Sequence, residues 1–242
     1  MSAIKLEIEA HDINAKNCYA IYGLPSPFTF KGFLDSLAFA TNISNIKDFV
    51  LIIHDFEPKK IYNAYTQIKS TQRDAKGSTQ MDIPRANIRF SIIFEIDEVD
   101  KDDIEDFLSK ARFSGGKISH KKTAMDFGDK QELLIKSKKG FVVKEKEFIK
   151  NNNAVDDYLE QIEVAKGKKG FVSPSMMGYK FINKPTEIKK ARGGKKHVFA
   201  EPILGLIYFE AIRKFGDRQT QYEDCVWGVK ESEDKILITN KG

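Results

Sequence analysis

The sequence predicts an α+β fold: a ferredoxin-like core, a basic protruding loop or hairpin, and a β-rich C-terminal half. Three observations predict it. Apolar residues alternate with polar ones over residues 4–8, and apolar runs recur at 49–56 and 88–96, which marks strands. Two stretches between these runs carry apolar residues at helical spacing behind good capping residues. The resulting order is strand, helix, strand, excursion, strand, helix, strand.

Ile4, Leu6 and Ile8 alternate with Lys5, Glu7 and Glu9, as a half-buried strand requires. Gly23-Leu24-Pro25 reads as a turn. Ser26 then stands at an N-cap with Pro27 at the first helical position, and Phe30, Phe33, Leu34 and Leu37 carry a helix to about Ala40. Residues 49–56 (FVLIIHDF) form the second strand. Between 59 and 84 the apolar periodicity vanishes and the chain turns polar and basic, so this stretch leaves the core. Residues 88–96 (IRFSIIFEI) return to it. Asp100 caps a second helix whose apolar side carries Ile104, Phe107 and Leu108, with acids crowding its first turns where the macrodipole favours them. Phe113-Ser114-Gly115-Gly116 turns the chain into a fourth strand. This order also serves RNA-recognition modules, among many unrelated functions.

The second half predicts a hairpin of residues 132–135 with 141–143 across Lys138-Lys139-Gly140, and a helix over 153–165. An interrupted strand follows at 171–181, then an apolar strand at 203–212. A closing hairpin joins residues 225–229 to 236–238. A division into 1–120 and 121–242 follows from this change in character. At 242 residues with 41% hydrophobic, the chain can bury a substantial core, and no stretch reaches the roughly 20 apolar residues that span a bilayer. The N-terminal residues lack the pattern of a signal peptide. Cys18 and Cys225 stand far apart without metal-ligand spacing, which fits a reducing cytoplasm and neither a disulfide framework nor a zinc site.

The net charge is only +5, but its distribution is uneven. From Lys166 to Lys196 the cations Lys166, Lys168, Lys169, Lys180, Lys184, Lys189, Lys190, Arg192, Lys195 and Lys196 are interrupted by one acid, Glu187. Residues 95–106 are the reverse, dense in Asp and Glu around Lys101. Such segregation sets one face toward a polyanion. Lys189 to His197 combine phosphate-neutralising cations with glycines that permit close backbone approach. The candidate RNA contacts are therefore Lys189, Lys190, Arg192, Lys195, Lys196 and His197, with Tyr65, Lys69, Arg73 and Lys76 in the basic excursion. Arg85 and Arg89 border the strand that follows it. The competing reading of the charged residues is a solvated surface or a surface salt bridge, and that of Tyr65 is a half-buried tyrosine.

Four segments, in order, carry a family resemblance. Tyr22-Gly23-Leu24-Pro25-Ser26-Pro27 resembles the "G-[FL]-P-S-P" opening of the second Csy subunit of type I-F CRISPR complexes. Asp82-Ile83-Pro84-Arg85 is similar to that family's "E-E-G-R", with Asp82 alone in place of the two acids. Arg112-Phe113-Ser114-Gly115-Gly116-Lys117-Ile118 resembles "M-R-[LI]-A-G-G-x-I" together with Ala111. Gly170-Phe171-Val172-Ser173-Pro174 with Gly178-Tyr179, and later Phe199-Ala200-Glu201-Pro202, resemble "R-G-[WF]-L-V-P … G-Y" and "F-[AV]-E". The resemblance implies a Cas-five-type fold of the RAMP superfamily, without catalysis or cofactor. It implies a grip on the 5′ handle of the CRISPR RNA, pairing with the large subunit, contact with the terminal backbone subunit, and target DNA recognition through the complex.

The histidines bear on the enzyme question. His11, His54, His120 and His197 are scattered, with no pair at metal-ligand spacing, and no phosphate-binding or nucleophile motif is present. His54, in an apolar strand, reads as a satisfied core residue. A Cas-six-type endoribonuclease using His120 or His197 as acid–base is the rival reading. A subunit that assembles only through proteins is the third.

Overall fold

Alternation and capping start several of the elements, and most of the strands join one extensive antiparallel sheet. The computed structural model describes residues 2–18, 21–43, 46–59, 84–96, 100–119, 122–137, 140–146, 160, 170–184, 186–187, 196–213 and 219–241. In chain order the strands are β1 (Ser2–Asn14), β2 (Lys16–Cys18), β3 (Ile21–Tyr22), β4 (Asp48–Pro58), β5 (Arg85–Ile96), β6 (Arg112–Phe113), β7 (Gly116–Ile118) and β8 (Ala124–Gly128). They continue with β9 (Phe141–Lys146), β10 (Gly170–Phe181), β11 (Thr186–Glu187), β12 (Lys196–His197), β13 (Ala200–Ala211), β14 (Val226–Glu231) and β15 (Lys235–Asn240). Helices α1 (Pro27–Thr41), α2 (Lys101–Lys110) and α3 (Lys130–Lys136) complete an α+β fold.

α1 begins at Ser26 with Pro27 at its first position, as the sequence predicts. The Ser26 side chain caps no backbone N–H; its carbonyl instead accepts from Thr29 N at 2.8 Å. Phe30, Phe33, Leu34 and Leu37 point into the core, and Phe30 meets Phe90 and Phe113 at 5.1 and 4.9 Å between ring centroids. α2 is capped as expected: the Asp100 carboxylate accepts from Asp102 N at 3.0 Å, and Ile104 and Leu108 are buried.

The sheet runs β14-β15-β10-β13-β9-β4-β5-β1-β7-β6, with β8 also on β1. β1 alternates cleanly: Ile4, Leu6, Ile8 and Ala10 are fully buried. The polar side of β1 is less open than the alternation suggests. β8 pairs Asp126 with Lys5, and the resulting 2.8 Å ion pair holds a lysine that is itself only 6% exposed.

One predicted element is corrected. Residues 132–135 are not half of a hairpin; they lie in α3. Asp129 caps that helix by accepting from Gln131 N at 2.9 Å and Glu132 N at 3.1 Å, and Lys136 reaches back to Glu132 at 2.7 Å. Leu133 and Leu134 are buried against the sheet face opposite α1 and α2, beside Val50, Ile93 and Tyr222. The cap, the i,i+4 pair and the helix preference of Lys, Gln, Glu and Leu favour a helix here over a strand. β9 does form, but it pairs with β13 and β4. The predicted helix over 153–165 lies outside the described residues except for Glu160.

β4 is bonded along one edge to β5. Its other edge is shared: Asp48 to Val50 pair with β14, and Ile52 and Ile53 pair with β9. The strands β4-β14-β15-β10-β13-β9 therefore form a closed circuit. Trp227 is fully buried, and its indole N–H donates to the Val143 carbonyl at 2.8 Å. Val143, Ile207, Phe209, Trp227 and Ile238 belong to the same buried cluster as Ile4, Phe30 and Phe90.

The hairpin β6-β7 is tightly constrained. Ser114 and Gly115 occupy the left-handed region at φ 47° and 76°. Ser114 bonds Asn14 both ways, accepting from Asn14 N at 2.9 Å and donating its hydroxyl to Asn14 O at 3.0 Å.

Candidate nucleic-acid interface

Arg85, Asn87 and Arg89 follow one another at alternate positions of β5 and face away from α1 and α2. Arg85 stands at the foot of the basic excursion. Its guanidinium donates to the Asp12 carbonyl at 3.0 Å, while its own carbonyl accepts from Lys59 N at 2.8 Å. The Lys59 ammonium bonds the Asp12 carboxylate, and this hydrogen bond holds the Asp12 carboxyl below its ordinary range. Asp12 itself has φ 56°, at an irregularity in the register of β1 on β5. The two chain ends of the excursion are thus pinned to one bulged residue. Tyr65, Lys69, Arg73 and Lys76 lie outside the described residues.

Arg89 is exposed and makes no ion pair among the described residues. Its register partners are Glu9 on β1 and Asp55 on β4. A shallow depression of ≈ 340 Å³ opens here, lined by Glu9, His11, Asp55, Glu57, Arg89 and Lys122 among others. Glu9 already binds His11 at 3.1 Å and Lys122 at 2.8 Å. Among the described residues the lining therefore carries nearly balanced charge and no Phe, Tyr or Trp, which lowers its attraction for a polyanion.

His54 sits at a break in the β4–β5 register, where its Nε2 and the buried Ser91 hydroxyl lie 2.7 Å apart. Burial lowers its pKa from 6.5; Glu7 opposes the shift, while Arg89 and Lys5 reinforce it. The core role expected of it fits this geometry. A base that is harder to protonate when folded stabilises the fold above its unfolded pKa. That stabilisation is lost as pH falls from 6.5 through the folded value. Urea midpoints measured between about pH 7.5 and 5.5 are expected to decline on the acid side, and His54→Gln is expected to flatten the decline. An equally steep decline in the variant would assign it to other groups.

Of the basic run, Lys196 is described, in a short ribbon beyond a long hairpin. β10 and β13 pair from Gly170↔Glu210 to Phe181↔Ala200. The pairing then continues as Ile182 N–H donates to the Phe199 carbonyl at 2.8 Å, and the Asn183 side chain accepts from Phe199 N at 2.7 Å. Beyond it, Thr186 faces His197 and Glu187 faces Lys196 in the β11–β12 ribbon. His197 is exposed. Lys189, Lys190, Arg192 and Lys195 lie outside the described residues. At the other end of the structure's contacts with this hairpin, Asn17 anchors β10: its side chain donates to Leu24 O at 2.9 Å and Ser175 Oγ at 3.1 Å, and accepts from Met176 N at 3.0 Å. Phe28 at the start of α1 packs edge-on to Tyr179 at 5.9 Å.

The candidate contacts thus fall into two groups. Arg85 and Arg89 share β5, whereas Lys196 and His197 form the β12 side of the ribbon beyond the β10–β13 hairpin, a separation that the sequence alone does not show. It passed over Phe199 and Ile182, which sit beside the basic run and are 72% and 62% exposed. The signal was an aromatic residue two positions after His197, in a segment otherwise rich in cations.

For the rival chemistry, His120 lies outside the described residues, and His197 faces Thr186 on the open ribbon. No group of three or more His, Cys, Asp or Glu among the described residues could hold a metal ion. Among the described residues, no helix is long and apolar enough to cross a membrane. No protein-family model matches the chain, and no curated protein matches it significantly.

Proposed function

We propose that this chain is a non-catalytic RNA-binding subunit of a type I-F CRISPR surveillance complex, gripping the 5′ handle of the CRISPR RNA. The observation that carries the reading is the strand order β4-β5-β1-β7 around α1 and α2, in a sheet that also holds the long β10–β13 hairpin. With every neighbouring pair antiparallel, that order supports a ferredoxin-like, RAMP-type core. The motif resemblance supplies the complex, the large and terminal backbone subunits as partners, and the handle as ligand. The charge pattern of the sequence supplies the RNA: Lys189, Lys190, Arg192, Lys195 and Lys196 in one basic run, and Lys69, Arg73 and Lys76 in the segment that precedes Arg85.

Incubation of the purified chain with repeat RNA tests the reading. A shift without cleavage is the expected result. Cleavage would favour the Cas-six-type endoribonuclease, and absence of both would favour a subunit that assembles only through proteins. Each phosphate contact on a single strand contributes about −0.7 to the salt slope. Lys189→Ala, Lys190→Ala and Arg192→Ala combined are therefore expected to weaken binding and flatten the slope by roughly 1–2 units. Unchanged affinity and slope would reduce that segment to a solvated surface.

A further inference from the structure

The register of the outer strands gathers apolar and cationic side chains that the charge pattern alone does not bring together. Lys180 on β10 faces Lys235 on β15, and on the opposite side it faces Glu201 on β13. Two positions along, Gly178 faces Leu237, which in turn faces Lys230 on β14. In the other direction the same hairpin face continues to Ile182 and Phe199. Ile238 has the opposite phase on β15 and is fully buried, so Lys180, Lys230, Lys235 and Phe199 lie on the outside of the strand circuit. Among the described residues none of these three lysines makes a close ion pair, though Glu201 faces Lys180, and the Asp234 carboxyl is held low by the Ser232 hydroxyl and in part by Lys235 and Lys180.

Two features of this face work against the stability of the isolated chain. Lysines placed directly opposite each other on neighbouring strands repel. Phe199 leaves 72% of its surface in water, next to an Ile182 that leaves 62%. Lone exposed apolar residues are common on proteins, but a cross-strand pair bordered by cations combines the two properties by which single-stranded nucleic acids are held. An aromatic ring stacks on a base of any sequence, and ammonium groups neutralise the backbone phosphates beside it.

We propose that the outer face of β13-β10-β15-β14 is a stacking platform for single-stranded RNA. Phe199 carries an unpaired base against Ile182, and Lys180, Lys235 and Lys230 neutralise the adjoining phosphates. This inference rests on the RNA-binding reading above and adds to it a base-stacking residue and a path for the strand across the sheet.

The test measures binding of the purified chain to a 12-nucleotide oligoadenosine RNA at several salt concentrations. Phe199→Ala is expected to weaken binding about 5- to 150-fold, the range for loss of one stacked base, without changing the salt slope. Phe199→Tyr is expected to bind like the parent chain. Lys180→Ala with Lys235→Ala is expected to flatten the slope by about 1.4. All these side chains are partly or largely exposed, so unchanged thermal midpoints check that the variants fold. If the parent chain binds this RNA and Phe199→Ala binds equally well, the platform is wrong while the RNA-binding reading stands. If the parent chain binds neither this RNA nor repeat RNA, both fall. Loss of co-purification with a protein subunit, at unchanged RNA affinity, would make this face a protein contact and overturn the proposal.

Discussion

Trp227→Ala is expected to remove about 3–5 kcal/mol of folding stability, the range for truncating a large buried aromatic. Trp227 is fully enclosed where β14 crosses onto β4, and its backbone register sets it opposite Phe49. The ring lies where β14 meets β4 and its N–H reaches β9, so truncation leaves a cavity among paired strands. Trp227→Phe keeps most of that volume but strands the Val143 carbonyl, which accepts the indole N–H at 2.8 Å. Its expected cost is smaller, about 1–3 kcal/mol. Equilibrium urea unfolding measures both. Because the chain contains one tryptophan, intrinsic fluorescence of the parent protein reports on this position alone, and its emission should shift red in the unfolding transition. A Trp227→Ala loss below about 1 kcal/mol would mean that the circuit does not depend on this contact.

The second large effect is expected at Gly116. A Cβ there would lie 2.4 Å from the His11 carbonyl oxygen, 2.6 Å from Ile13 Cγ2 and 2.7 Å from Ile13 N. Two of these are backbone atoms of β1, so relief requires β7 to move off the strand it pairs with. Gly116→Ala is expected to cost about 3 kcal/mol, at the upper end for overpacking, or roughly 6–12 °C in thermal midpoint for a chain of this size. Gly115 has open space around its Cβ position but φ 76°, so Gly115→Ala isolates backbone strain from steric conflict and should cost about 1–2 kcal/mol. Thermal midpoints of the two variants, compared side by side, separate the two causes; the reverse ranking would show that the β6-β7 turn, rather than its contact with β1, sets the constraint.

The elements that the sequence discloses are those fixed by local chemistry. Ser26-Pro27 starts α1, Asp100 caps α2, and alternation through Ile4, Leu6 and Ile8 marks β1, because each signal acts within a few residues. α3 escaped because its apolar run is only three residues long, too short to show a helical period, although the Asp129 cap and the helix-favouring residues around Leu133 and Leu134 support a helix. β8 escaped for a different reason: Ala124–Gly128 has no alternation, and its place is set by the distant partner Lys5. The pairing of Val226 with Val50 has no local signature at all. The same distinction holds for the candidate interface. Charge runs along the chain announce Lys189 to Lys196, but the meeting of Lys180 with Lys235, and the exposure of Phe199 beside them, exist only once β10 and β15 are in register.

The double use of β4 has a consequence for the nascent chain. β5 can zip onto β4 as soon as both leave the ribosome, but the partners of the other edge arrive late: Phe141 opens β9, and Val226 opens β14. At about 5–20 residues per second, translation leaves the β14 portion of that edge without its partner for on the order of ten seconds or more. During that interval Phe49, Val50 and their neighbours present unsatisfied backbone groups on a strongly apolar strand, the template on which chains join edge to edge. Yield in the cell should therefore depend on how quickly the last hairpin is delivered, and conditions that slow elongation after β9 should raise the aggregated fraction of a chain whose completed form has that edge sealed.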